Sequence, residues 1–167
     1  MKPAVFLDRD GVINVDTGYP HRIEELEFIA GAPEAIASIN ASGRLAVVVT
    51  NQSGIARGLY GEEQAHAFNN HIQDRLREWN ARIDAFYLCP YHPEATIARY
   101  RQDHPDRKPR PGMIERAIRD LDIDRGNSFL VGDRQTDVQA AQAAGMPGYL
   151  FTGPRLDAFI KPLLSSS

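Results

Sequence analysis

A single cysteine, Cys89, stands in the 167 residues. An internal disulfide is therefore excluded, and one lone thiol fits a reducing compartment. No run approaches the roughly 20 apolar residues that a membrane-spanning helix requires. Met1-Lys2-Pro3 leads straight into an apolar stretch with no room for a signal peptide, so the expected location is cytoplasmic. Excess charge of one sign is missing too. The formal net charge is −3, which gives no electrostatic footprint for nucleic acid or an anionic membrane. The basic group Arg99, Arg101, Arg107, Lys108 and Arg110 does not alter this, because Asp103 and Asp106 are interspersed with it. Internal repeats and low-complexity segments are also lacking. With 43% apolar and 25% charged residues, the chain reads as one soluble domain spanning residues 1–167.

What is present is an alternation of strand and helix signals. Ala4-Val5-Phe6-Leu7 is a short unbroken apolar run, as suits a strand covered on both faces. A long connection follows to about residue 32; its Val15, Tyr19, Ile23, Phe28 and Ile29 suggest an ordered flap. Pro33 suits the first turn of a helix that Gly43 ends. Leu45 to Thr50 is the clearest buried strand, followed by the polar loop Thr50-Asn51-Gln52-Ser53-Gly54. Ala65, Phe68, Ile72, Leu76 and Trp79 recur at helical spacing over residues 62–79. Residues 85–88 are a third strand. Residues 89–110 are rich in proline and histidine, and Pro111 opens another helix. Phe129-Leu130-Val131 is a fourth strand, and an alanine-rich helix, a last strand and a tail helix complete the chain, with Ser165 to Ser167 expected to fray. This order predicts an α/β fold, a doubly wound parallel sheet with right-handed crossovers.

In such sheets ligands bind beyond the carboxyl ends of the strands. Asp8 and Asp10, Thr50 to Ser53, and Asp133 with Asp137 all fall at predicted strand ends, and Lys108 enters from a connection. Neighbouring carboxylates at such a place demand a proton or a cation. Two of them can hold Mg²⁺ through oxygen. A hydroxyl and backbone N–H groups at Thr50 and Asn51 suit phosphate oxygens. A lysine can neutralise a phosphoryl group in flight, and a carboxylate nucleophile can split hydrolysis into two steps. Read alone, Asp133 and Asp137 would serve as helix-terminal caps, worth about 1 kcal/mol.

The segments Asp8-Arg9-Asp10-Gly11-Val12, Thr50-Asn51, Lys108-Pro109 and Gly132-Asp133-x-x-x-Asp137 resemble the four motifs of the haloacid dehalogenase (HAD) superfamily of phosphohydrolases. Within it, Phe6 to Asp16, Thr50 to Gly58 and Arg107 to Met113 are similar to D-glycero-D-manno-heptose 1,7-bisphosphate 7-phosphatases, with histidinol-phosphate phosphatases as near relatives. The resemblance implies the HAD fold without a large cap domain. It implies Mg²⁺-dependent release of the 7-phosphate from the heptose bisphosphate through an aspartyl-phosphate, in the making of nucleotide-activated heptose. A histidinol-phosphate or other small phosphomonoester phosphatase is the alternative. Asp8 would be nucleophile and Mg²⁺ ligand. Asp10 would be general acid and then base, with its backbone carbonyl on the metal. Thr50 and Asn51 would bind the transferring phosphate, Lys108 would stabilise its charge, Asp133 would complete the metal site, and Asp137 would support Lys108 or metal-bound water. Asp16, Gly18, Tyr19, Ser53, Arg107 and Arg134 match positions that hold the rest of the sugar phosphate, with Arg107 and Arg110 set against a second phosphate.

The family pattern also carries a structural Zn²⁺ held by Cys-x-His and Cys-x-Cys, and here this chain departs from it. Cys89-Pro90-Tyr91-His92 displaces the histidine by one residue, and the second pair reads His104-Pro105-Asp106. Structural zinc sites favour thiolates, so the expected loop is free of zinc and ordered by its prolines, Tyr91 and Tyr100. Without a cap, the expected protein is a monomer with an open site and a sugar bisphosphate as its small-molecule partner.

Overall fold

The structure, a computed structural model, describes residues 1–165. Five parallel strands form one sheet in the order β3-β2-β1-β4-β5. They are β1 (Ala4–Leu7), β2 (Leu45–Asn51), β3 (Ala85–Cys89), β4 (Phe129–Gly132) and β5 (Gly148–Leu150). The helices are α1 (Ala32–Ala41), α2 (Ser53–Ala56), α3 (Glu62–Leu76), α4 (Gly112–Leu121), α5 (Gln135–Ala143) and α6 (Leu156–Ser165). No helix among them is long and apolar enough to cross a membrane.

β1 sits at the centre because both its faces are apolar, and the strand divides its side chains between two cores. Val5 and Leu7 join residues of α1, α3 and α6, including Ile36, Phe68, Ile72 and Ile160. Ala4 and Phe6 point the other way, into Met113, Ile114 and Ala117 of α4 and Ala140 and Ala141 of α5. This is the period-two alternation of a strand set between two helical layers. Emptying such a site, as in Phe6→Ala, typically costs about 3–5 kcal/mol.

Several sequence boundaries shift. α3 gives way at Arg77 to a 3₁₀ turn through Trp79, whose ring is only partly buried and packs edge-on to Phe28 at 5.8 Å. The loop after β2 closes into the short α2, which the small residues Ser53, Gly54 and Ala56 allow. The flap is tied at its base like a hairpin: Val15 N–H donates to Glu27 O (2.8 Å) and Ile29 N–H to Ile13 O (2.9 Å). Ser165 closes α6 rather than fraying, and the last two residues of that tail lie outside the described residues.

β1 leads to β2 on one side and pairs with β4 on the other, so the chain reverses its direction of travel across the sheet beside β1. The carboxyl ends of β1, β2 and β4 therefore splay around one crevice, the position where this class of sheet holds ligands.

Candidate active site

Asp8 extends the pairing of β1 by one residue, its N–H donating to Val131 O at 3.2 Å. The chain then reverses tightly: the N–H groups of Val12, Ile13 and Asn14 all converge on Arg9 O (3.3, 2.9 and 3.2 Å). Gly11 makes this possible with φ +93°, and a side chain there would collide with the Asp133 carboxylate. Asp8 is buried, and its Oδ1 accepts from Arg9 N (2.9 Å) and Lys108 Nζ (3.0 Å).

Lys108 is placed by Asn51. The Asn51 amide donates to Lys108 O (3.2 Å) and accepts from Lys108 N (3.1 Å), a two-point clamp on the backbone of the loop before α4. The side chain, 3% exposed, then runs inward to Val49 O (2.8 Å), Asp8 Oδ1 (3.0 Å) and Asp137 Oδ1 (2.6 Å). Asp137 does two jobs. Its Oδ2 accepts the N–H groups of Asp133 and Arg134 (both 3.1 Å), capping the start of α5, while Oδ1 grips Lys108. The capping reading of Asp137 and the reading that puts it beside Lys108 are thus both realised. Gly132 permits this, because a Cβ there would strike the Asp137 side chain.

Charge in this cluster does not balance. Asp8, Asp133 and Asp137 offer one carboxylate oxygen each, all within 4.8 Å of one another, against the single ammonium of Lys108. Burial pushes the Asp8 carboxyl up to about 8, Lys108 pulling it down and Asp137 pushing it up again. Burial works to lower Lys108, but Asp8 and Asp137 outweigh it and its pKa is raised. Asp133 Oδ1 is buried with no hydrogen-bond partner. Surplus negative charge, oxygen-only donors and an orphaned carboxylate oxygen fit a hard divalent cation such as Mg²⁺. The side chain of Asp10 is not one of the three that converge.

Above this cluster opens a cavity of about 320 Å³. Asp8, Asp10, Thr50, Asn51 and Lys108 line it together with Asp16, Gly18, Tyr19, Ser53, Arg107, Arg134 and Asp137, so every candidate site residue except Asp133 and Arg110 faces one space. Asp133 lies behind Gly11. Gln52, from the Thr50 to Ser53 loop, lines the cavity as well, and so do Tyr60 and Thr136, which nothing in their spacing marked. Arg134 approaches the flap, its Nη2 3.7 Å from Asp16 Oδ2, and Tyr19 adopts a left-handed φ of +53°. Arg110 departs from expectation: it is exposed, donates to Asp103 O (2.9 Å) and does not line the cavity, so of the pair set against a second phosphate only Arg107 faces the site.

The side chains of residues 89–106 engage one another and α4. Asp106 Oδ2 meets Arg116 Nη1 at 2.8 Å, His104 stacks on Tyr91 (4.3 Å), and Tyr91 meets Tyr100 edge-on (5.9 Å). His92 Nδ1 accepts from Glu94 N (3.0 Å), and burial raises the Cys89 thiol to about 11. Cys89, His92, His104 and Asp106 are not gathered into a ligand set among the described residues.

Over 98% of its length the chain is 43% identical to a D-glycero-beta-D-manno-heptose-1,7-bisphosphate 7-phosphatase of Rhodopseudomonas palustris, 91% of which is covered. It belongs to the HAD family of phosphatases. A family model described as "HAD-hyrolase-like" matches residues 106–154 of this phosphatase, the stretch from the Lys108 loop through β5. A D-glycero-alpha-D-manno-heptose-1,7-bisphosphate 7-phosphatase of Burkholderia mallei is 46% identical over 86% of the chain and 76% of its own length. Among solved structures, a D,D-heptose 1,7-bisphosphate phosphatase from B. bronchiseptica complexed with magnesium and phosphate superimposes with a TM-score of 0.83 at 31% identity, covering both chains completely.

Proposed function

We propose that this HAD phosphatase removes the 7-phosphate of D-glycero-D-manno-heptose 1,7-bisphosphate. The observation that carries the reading is the pairing of Asp8 with Lys108 at the base of a cavity walled by Arg107 and Arg134, with the Asp133 carboxylate, its Oδ1 unpartnered, close to Asp8. One end of that cavity suits a phosphoryl group and the other a second anion. Asp8 attacks phosphorus, and a bond to its carboxylate oxygen forms as the bond to the sugar oxygen breaks. Asp10 gives that oxygen a proton. Asp10 then takes a proton from water as the water attacks the aspartyl phosphate, which frees Asp8 and inorganic phosphate. Lys108, Thr50 and the Asn51 backbone hold the phosphoryl oxygens. Mg²⁺, held by Asp8, Asp133 and the Asp10 carbonyl, would neutralise phosphoryl charge and orient the group. The enzyme works in this reading as a cytoplasmic monomer.

A phosphate-release assay on both anomers of the heptose bisphosphate, on sugar monophosphates and on histidinol phosphate tests this. Expected are preference for the bisphosphate, a product that keeps its C1 phosphate, and loss of activity on chelation restored by Mg²⁺. Turnover of histidinol phosphate with none of any sugar bisphosphate would hand the site to that substrate.

Two narrower predictions follow from the same geometry. Tyr19→Ala should raise KM for the bisphosphate about tenfold, the worth of one lost contact of roughly 1.4 kcal/mol, while a small phosphomonoester changes little. Equal effects on both would make Tyr19 structural. We also propose a loop free of zinc at residues 89–106, supported by the aromatic stacking and the Asp106–Arg116 pair. Metal analysis of protein purified without chelator should find Mg²⁺ and no zinc; one tightly held zinc per chain refutes it.

A further inference from the structure

We propose that Arg9, Gln52 and Tyr60 are positioning residues that orient the Asp10 carboxyl and tie it to the flap. The inference rests on the reading of Asp10 as general acid. Its geometry is separate from the Lys108 cluster.

The two oxygens of Asp10 are held unequally. Oδ1 accepts from Arg9 Nε (2.9 Å) and Asn14 Nδ2 (3.0 Å) and is fully engaged. Oδ2 has only a long contact from Gln52 Nε2 at 3.3 Å. Oδ2 is therefore the oxygen free to exchange a proton with a leaving group in the cavity, and Gln52 sets its direction.

Each side of this grip leads to the flap. Arg9 is wholly buried and lies 4.5 Å from the Phe68 ring. Its guanidinium fork spends one arm on Asp10, one on Asn69 Oδ1 (3.0 Å) and one on Pro20 O (3.1 Å). A buried arginine is tolerated only when its donors are all placed, so Pro20 and Asp10 are held in one rigid unit. On the other side, Gln52 Nε2 also donates to Thr50 Oγ1 (2.8 Å), and Gln52 Oε1 accepts from Tyr60 OH (2.5 Å). Tyr60 stacks on His21 with centroids 4.6 Å apart and planes 9° apart. Burial raises the Tyr60 phenol above its ordinary range, so it remains a donor at neutral pH. A phenol O–H can donate only to the oxygen end of the amide, which keeps the nitrogen end toward Asp10 and Thr50. Remove that hydroxyl and the oxygen end of the amide loses its partner, leaving its orientation to the contacts with Thr50 and, at 3.3 Å, Asp10.

Pro20 and His21 are adjacent in the flap, so both links report on the same two residues. A flap seated over a ligand would align Oδ2, converting remote binding into placement of the acid.

The test separates acid placement from general damage by varying the leaving group. A sugar alkoxide needs a proton to depart, whereas the phenolate of an activated aryl phosphate does not. Tyr60→Phe keeps the ring and its stack on His21. With the Mg²⁺-loaded full chain, the ratio of kcat/KM for an alkyl phosphate to that for an aryl phosphate is expected to fall about tenfold, a part of the roughly 10²–10⁴ that general acid catalysis supplies. His21→Ala, which removes the stack, should lower the same ratio at least threefold. If Tyr60→Phe does not fold, Gln52→Met, of similar length, breaks the same link and should give the same fall. An unchanged ratio, or equal losses on both substrates, overturns the inference. Asp10→Asn is the control. If it fails to lower the ratio, the general-acid reading falls and this inference with it; if it lowers the ratio while Tyr60→Phe does not, the inference alone falls.

Discussion

Asp8→Asn is expected to cut turnover by at least about 10³-fold while the protein stays folded. The substitution preserves shape, and its carbonyl oxygen can still accept from Arg9 N and Lys108 Nζ, the two donors now on Asp8 Oδ1. What it removes is the nucleophile. An amide oxygen has too little electron density to attack phosphorus, and no neighbouring group can substitute for it. Asp137 is committed to Lys108 and the start of α5, and the Asp10 carboxyl is held by Arg9 and Asn14. The thermal midpoint should fall little or even rise, because the variant removes a buried acid that burial already disfavours in its charged form. Activity is to be read beside the melting curve. Retention of more than about a tenth of activity, on the order of 1 kcal/mol of barrier, would remove Asp8 from the role.

The parts of the site that the sequence disclosed are those in which residue type and strand position coincide. Asp8 and Asp133 each follow an apolar strand and Thr50 lies at the end of one, so a parallel sheet had to bring them to one edge. Lys108 was legible only through its family motif, since it is carried by a loop with no periodicity, and Asn51, 57 residues away in sequence, is what clamps it there. Gln52 was placed at the crevice with the Thr50 to Ser53 loop but given no role, and Tyr60 was not legible at all. Their partnership depends on α2, a four-residue helix whose small residues read as a loop, and on Gly54, where a side chain would collide with the Tyr60 ring. Arg9 looked like the spacer of an Asp-x-Asp pair, yet it is among the most completely buried side chains in the protein. Long-range side-chain pairing of this kind leaves no mark in local spacing. Arg110 failed for the converse reason: being basic and near Lys108 in sequence says nothing about which way a loop residue turns.

Lys108→Met is expected to damage both stability and catalysis. Methionine fills similar space, so the loss is electrostatic rather than a cavity. Lys108 Nζ lies between Asp8 Oδ1 and Asp137 Oδ1 and is 3% exposed, and removing it leaves two buried carboxylates with no cation. Breaking a buried ion pair from one side typically costs about 3–5 kcal/mol, or roughly 10 °C in the thermal midpoint of a chain this size. The pH dependence has a definite sign. The pKa of Lys108 is raised in the folded protein, so its stabilisation is complete below its unfolded pKa and lost only as pH climbs through the higher folded value. Across the neutral range the parent protein therefore keeps the whole contribution. In the variant the Asp8 carboxyl loses the charge that favoured its ionisation, and its folded pKa moves further up. A carboxyl with a raised folded pKa is fully stabilising below its unfolded value near 4 and loses that contribution as pH rises. The gap between parent and variant midpoints, measured without metal, should thus widen above about pH 8, where Asp8 of the parent has ionised and Asp8 of the variant has not. Added Mg²⁺ should narrow it, since a cation bound only by the folded state stabilises by mass action. Turnover should fall about 10³-fold even where the variant is folded, because among the described residues Lys108 is the cationic side chain that pairs with Asp8 and can follow the moving phosphoryl group. A variant as stable as its parent at every pH, with more than a tenth of its activity, would show that Asp8 and Asp137 do not depend on Lys108 and that the charge surplus is resolved in another way.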